Sequence, residues 1–177
     1  SLGEIDNIRI LSNNALHRIA FDDVYVCDTE GTINNTFLGP IQVLTLSPNG
    51  DDTTDFTATG AGTTHADRVA DADADDDTTY VESSTTDDQD IWDDEDIDTG
   101  FTISGIEIDT DVRETDASDF TVETVVKSGA TTDVDTVQPI DSNDWESLRR
   151  VVEADPDTSE QWTAGNFNAA KFGVEVG

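Results

Sequence analysis

Asp71, Asp73 and Asp75 stand at alternate positions in the stretch DADADDDTTYVE, and Glu82 takes the twelfth place. This is nearly the ligand order of a calcium-binding helix–loop–helix, where spaced carboxylates and a closing bidentate Glu surround the ion. Such a loop needs Gly at its sixth position for a sharp turn, and helices on both sides. The sixth residue here is Asp76, and TTYVESS reads as a strand, which would point Glu82 along a sheet. We therefore expect a solvated acidic loop over Asp71–Glu82, with a structural cation there as the lesser alternative. The second acidic cluster, DDQDIWDDEDID, gets the same reading: Ile91, Trp92 and Ile97 anchor it and the carboxylates face solvent.

Catalytic chemistry finds little purchase. The two histidines, His17 and His65, lie in different regions, and no G-x-S-x-G elbow presents a serine. Cys27 has no evident neighbouring base to make it a nucleophile, and no Cys/His spacing suits zinc. Two carboxylates could cleave a glycosidic bond, but among 41 acidic residues no pair stands out. His17 and His65 read as surface or rim residues. Trp145 and Trp162 read as core or edge-packing aromatics, or else as exposed sugar-stacking rings. Asn34 opens an Asn-Asn-Thr glycosylation sequon. The expectation is no enzyme, with no catalytic, cofactor-binding or metal-ligating residues and no cofactor.

The elements that must position these residues are strands. Period-two patterning runs through IDNIRIL, RIAFDDVYVCD (with a bulge near Asp22–Asp23), FLGPIQVLTLSPNGD, TYVESST, GFTISGIEIDTDV, DFTVETVVKSG, WESLRRVVEAD and the terminal FGVEV. In DFTVETVVKSG, Phe120, Val122, Thr124 and Val126 share one face. FLGPIQVLTLSPNGD is expected to end in a Pro-Asn-Gly turn. Residues 49–79 show little periodicity. The best helix signal is WTAGNFNAAKFG, where Thr163 can N-cap a short helix and Gly173 follows its end. Arg149 and Arg150 sit in a strand-like run. Short strands at this spacing predict an all-β fold, an antiparallel β-sandwich or jelly roll with one short C-terminal helix.

Composition bounds what such a fold can do. The chain has 177 residues, with 8 basic and 41 acidic side chains and a net charge of -33. Phosphate binding needs Lys and Arg to displace counterions, so nucleic acid is excluded as a partner, and an anionic membrane surface is disfavoured. Leu, Ile, Val and Phe make up roughly 23% of residues, above the ~20% below which an acidic chain stays unfolded. A compact protein of this mass exposes on the order of 8,400 Å², which spaces neighbouring carboxylates roughly 14 Å apart. The Debye length is about 8 Å in physiological salt and about 3 Å at 1 M. Molar salt therefore screens the repulsion, and the chain reads as a halophile's protein. Cys27 is the single cysteine, so no internal disulfide forms, and no apolar run approaches membrane-spanning length. The chain begins at Ser1, as a processed product or a piece of a longer protein would.

Several stretches together resemble virion structural proteins of tailed viruses and prophages. IDNIRIL…HRIAFDDVYVCDTEGTINNTFLGPIQVLTLSPNGD resembles the segment that closes a laminin-G/concanavalin-like sandwich there and leads into a second β domain. DDDTTYVESSTTDDQDIW, VETVVKSG and EADPDTSEQWTAGNFNAAKFGVEV resemble the landmarks that follow, the last with a D-P-x-T…W-T motif before a short helix and a terminal F-G-V-E strand. The match covers most of the chain, in order. It implies that residues 1–48 are closing strands of a concanavalin-like sandwich or an oligomerisation segment, and that residues 49–177 are a jelly-roll-like β-sandwich. It implies a homo-oligomeric turret, spike or tail-fibre component on the surface of a haloarchaeal virion. That component would meet other virion proteins and a host cell-surface glycoprotein or glycan. It carries over no catalytic residues. Most of the first sandwich is missing, so its closing strands would need partners from elsewhere. A carbohydrate-binding module of a halophile's secreted protein is the alternative.

Overall fold

The computed structural model describes residues 31–71, 77–115, 120–140 and 143–177. Every strand pairing among them is antiparallel, which gives the all-β architecture expected from the alternation. Ten strands form among the described residues: β1 (Pro48–Thr54), β2 (Thr57–Thr59), β3 (Tyr80–Glu82), β4 (Gln89–Asp94), β5 (Ile106–Val112), β6 (Phe120–Ser128), β7 (Thr131–Val134), β8 (Gln138–Ile140), β9 (Glu146–Val152) and β10 (Lys171–Val176). Two short helices, α1 (Ala66–Val69) and α2 (Ala164–Ala169), accompany them.

The main sheet runs β1-β4-β10-β6-β7, with β8 also pairing to β6. The two-stranded ribbons β2–β3 and β5–β9 complete the set. The last strand of the chain is thus the middle of the sheet. Phe172 faces Trp92 on one side and Val126 on the other, and Val174 lies between Asp90 and Thr124. β-branched and aromatic side chains suit such a pleated, buried surface.

Registered in this way, Trp92, Phe172, Val174, Val122 and Val126 share one face of the sheet. Two apolar clusters cover it. In one, Val126 and Phe172 pack with Val152, Trp162, Phe167 and Ala170, and Ile106 and Ile108 of β5 close over them. Ring centroids lie 5.5 Å apart for Phe167–Phe172 and 6.5 Å apart for Trp162–Phe172, within the range of favourable aromatic pairs. In the other, Trp92 and Val174 pack with Ala66 of α1, against Phe56 and Val81. The opposite face carries Lys127 and Lys171, cross-strand neighbours bonded to Asp52 and Asp93 respectively.

Several local expectations are met. Thr163 caps α2, its Oγ1 accepting from the Asn166 N–H at 3.1 Å. Arg149 and Arg150 lie in β9. Others are corrected. The strand expected over FLGPIQVLTLSPNGD forms only at its end, and Pro48-Asn49-Gly50 lies inside β1, whose register shifts absorb the irregular residues. Residues 49–79 hold β1, β2 and α1 despite their weak periodicity. Gly173 does not end α2. It lies in β10, where an added Cβ would stand 2.1 Å from the Asp90 carbonyl oxygen. Only a residue without Cβ lets β10 and β4 approach this closely. The strands expected within residues 1–30, with the bulge near Asp22–Asp23, lie outside the described residues.

Candidate functional site

In the acidic cluster around Trp92, Ile91, Trp92 and Ile97 are the anchors expected and Asp87, Glu95, Asp96 and Asp98 are exposed, but Gln89–Asp94 form a strand rather than a loop and one carboxylate is buried. Ile91 and Trp92 enter the sheet, and Asp90 between Gln89 and Ile91 is wholly inaccessible to solvent. A buried carboxylate requires a partner, and His65 supplies it: Nδ1 lies 2.7 Å from Asp90 Oδ2. His65 is part-buried, with its ring turned onto that carboxylate. It is held at the N-terminus of α1, where Asp51 accepts from the His65 and Ala66 N–H groups at 3.0 and 2.8 Å. Burial pushes the Asp90 carboxyl up to about 6, against the hydrogen bond and charge of His65 and with the charges of Asp51 and Asp55. Burial, then the neighbouring Glu95, pushes Asp94 up to about 6 as well. A His–Asp pair orients an imidazole. Among the described residues no hydroxyl or thiol is hydrogen-bonded to that imidazole, and no three His, Cys, Asp or Glu side chains gather as a metal site.

A second polar centre ties two distant stretches together. Asp155 is fully buried, and four donors converge on it. Ser128 Oγ at 2.6 Å and the Asp157 N–H at 3.0 Å reach Oδ1; Asn166 Nδ2 at 2.6 Å and Thr158 Oγ1 at 3.1 Å reach Oδ2. Burial alone would raise this carboxyl, but the donors together hold it below the ordinary carboxylate value. Asp157 then accepts from the Ala130 N–H and Thr131 Oγ1, both at 3.0 Å, across the turn at Gly129. Gly129 has φ +53, and an added Cβ there would meet the Asp157 carboxylate at 2.3 Å. The arrangement is a structural lock, and its chemistry is to hold a turn.

A cleft of about 1960 Å³ opens between the apolar face of the main sheet and the two ribbons. Phe56, Tyr80, Trp92, Phe101, Phe120 and Trp145 are among its walls. Arg113 lies 4.9 Å from the centroid of the Trp145 ring and pairs with Asp77. Trp145 is thus a wall of the cleft and half-buried, whereas Trp162 is a core residue.

The remaining sequence candidates fall apart from one another. Asp71 is exposed and accepts from Thr79 Oγ1 at 3.1 Å; Glu82 is exposed in β3 opposite Thr57. Asp73, Asp75 and Asp76, like His17 and Cys27, lie outside the described residues. The sequon amide of Asn34 donates to the Ser104 carbonyl and, at 3.2 Å, to Glu153 Oε1, which occupies the nitrogen a glycan would take. Sequence reasoning missed the His65–Asp90 pair, because the partners are 25 positions apart in unrelated patterns. No family model, curated protein or solved structure matches this chain.

Proposed function

We propose that this chain is a structural protein of the virion of a haloarchaeal tailed virus. It is a surface-displayed turret, spike or tail-fibre component, homo-oligomeric and in contact with the host surface. One observation carries the reading. The stretches that resemble virion proteins supply β3 and β4 (DDDTTYVESSTTDDQDIW), β6 (VETVVKSG), and α2 with β10 (EADPDTSEQWTAGNFNAAKFGVEV). They meet as the three central strands β4-β10-β6. The Ser of VETVVKSG donates to the Asp of the D-P-x-T motif. The resemblance thus falls on residues that jointly build one scaffold. The net charge of -33 fits a protein that works in brine, where screening removes the self-repulsion. Residues 1–48 are, in this reading, the segment that joins the domain to a preceding sandwich or to another subunit.

The test is binding of the labelled chain to haloarchaeal cells in molar salt, with competition against virus adsorption and light scattering for subunit number. Saturable binding by an oligomer that blocks adsorption is the expected result. A stable monomer in molar salt, undetectable in purified particles by mass spectrometry, overturns the proposal. The second reading, a carbohydrate-binding module of a secreted protein, rests on the aromatic walls of the cleft. Sugar binding by a chain that is never found in virions favours it.

A further inference from the structure

Residues 31–50 contain no Asp, Glu, Lys or Arg, in a chain where 28% of residues are charged. The next longest uncharged run, residues 56–66, is eleven residues against twenty. The stretch lies outside every strand and helix until it enters β1 at Pro48. Both its ends are pinned. Asn34 donates to the Ser104 carbonyl and to Glu153. Leu46 packs against the Phe172 cluster, and the Ser47 carbonyl accepts from the Glu95 N–H at 3.2 Å. The middle turns apolar side chains to solvent. Phe37 is 85% exposed, Val43 61% and Leu44 43%, three of the seven large apolar residues exposed among the described residues. Phe101, a fourth, lines the same cleft as Val43 and Leu44. Apolar residues scattered singly on a surface need no explanation, but these are concentrated where charge is missing.

We infer that this stretch is the surface through which the chain pairs with a second copy of itself. The inference deepens the homo-oligomeric reading above and rests on it. Each copy carries a net charge of -33. Molar salt screens repulsion beyond about 3 Å, but carboxylates brought into contact must still shed their water, which is costly unless each is paired. With carboxylates roughly 14 Å apart, an average patch of ~800 Å², one partner's share of a standard interface, would hold about four of them. A charge-free surface escapes this cost. A contact of that size takes roughly 20–30 residues a side, and the twenty residues of this stretch, with Phe101 beside them, come close to that. The missing charge also selects the occupant. A basic partner would find its counter-charges elsewhere on the surface. An uncharged apolar patch is complementary to itself, as a two-fold contact requires, in which the same residues meet from both sides. Such interfaces are depleted of charge at the centre and polar at the rim, and Glu153 and Glu95 stand at the two ends of this stretch. Pinned ends fix the apolar residues beforehand, so pairing loses little to ordering.

The experiment uses the full chain in molar salt, with sedimentation velocity over a range of concentrations to read the subunit number. The expected result is reversible pairing, weakened about a hundredfold in Val43→Asp and in Leu44→Asp, which set carboxylates face to face across the two-fold. Circular dichroism checks that both variants fold. If either does not, the milder Val43→Thr, expected to weaken pairing about fivefold, takes its place. Val151→Asp, on β9 outside the stretch and 69% exposed, should leave pairing unchanged. A photo-cross-linker in place of Val43 should join two copies. Oligomers that persist unchanged in Val43→Asp and Leu44→Asp overturn this surface and leave the homo-oligomeric reading standing. A chain that is monomeric in solution yet present in purified particles overturns the pairing and leaves the virion reading standing. A cross-link from position 43 confined to one chain overturns it by placing another segment of the same chain there. Binding of a monomer to neutral phosphatidylcholine vesicles, abolished by Val43→Asp, overturns it in favour of a lipid surface.

Discussion

Replacing Asp155 by Asn should be among the most damaging near-isosteric changes in this protein. Each oxygen of Asp155 accepts from two donors. An amide turns one oxygen into an NH2 group, so an N–H donor, of Asp157 or of Asn166, would face it whichever way the amide sits, while the hydroxyl on that side can turn to accept. A hydrogen bond to a charged acceptor contributes about 1.5–3 kcal/mol, and the abandoned donor stays buried. One such loss, with the remaining bonds weakened by removal of the charge, comes to about 2–4 kcal/mol. That is a large part of the ~5–15 kcal/mol that keeps a domain folded. Urea unfolding in molar salt, followed by tryptophan fluorescence, measures it, because Trp162 lies seven residues on and is 2% exposed in the adjoining core. Ser128→Ala alone removes one donor and should cost about 1 kcal/mol. In the double variant the two effects should fall short of additivity by about 1 kcal/mol or more, as expected for contacting partners. A loss below about 1 kcal/mol for Asp155→Asn, or strict additivity with Ser128→Ala, would refute the view of Asp155 as the hub joining β6 to the C-terminal motif.

Stability should fall as pH rises through about 6. Asp90 and Asp94 have raised carboxyl values, so their favourable contribution is complete below the unfolded value near 3.8 and is lost on ionisation. For the fully buried Asp90 that contribution is about 3 kcal/mol. Urea midpoints between about pH 5 and pH 8 should decline, and decline less in Asp90→Asn; a rising midpoint contradicts the assignment. Asp155, held low, acts in the opposite sense, so below the ordinary carboxylate range its contribution is lost and stability turns down again. Thr163→Ala should cost about 1 kcal/mol through loss of the α2 cap, read from the same urea curves. Lowering salt below about 0.5 M should unfold the chain as screening weakens; circular dichroism unchanged in dilute buffer would sink the halophile reading.

The strands that sequence shows best are those whose apolar residues alternate without interruption, such as β6 and β10, and α2 is visible through its Thr163 cap. β4 was hidden for a physical reason. Two apolar residues, Ile91 and Trp92, sit among carboxylates, and one of those carboxylates is buried only because His65 shields it. Nothing local announces that shield. Gly173 misled for the opposite reason, since glycine after a helix is a common cap and a close strand approach leaves no separate mark. Likewise Pro-Asn-Gly signals a turn by composition, and only pairing with Asp93 and Asp94 draws it into β1. The cleft was legible only as tryptophans of uncertain role. Which indole faces the core and which a cavity depends on how the ribbons pack, and this lies beyond any short window of sequence.

Lys127 and Lys171 are the only lysines in the chain, and they stand opposite each other on the sheet face turned away from Trp92 and Phe172. Amine-directed reagents therefore address one side of the molecule at the level of its side chains. A surface coupled through these two amines would present the protein with its cleft outward, and a fluorophore placed there would leave the cleft walls untouched. A carbodiimide, which welds contacting amines and acids without a spacer, should join Lys127 to Asp52 and Lys171 to Asp93. Those two welds, read by peptide mass mapping, would stitch β1 to β6 and β4 to β10.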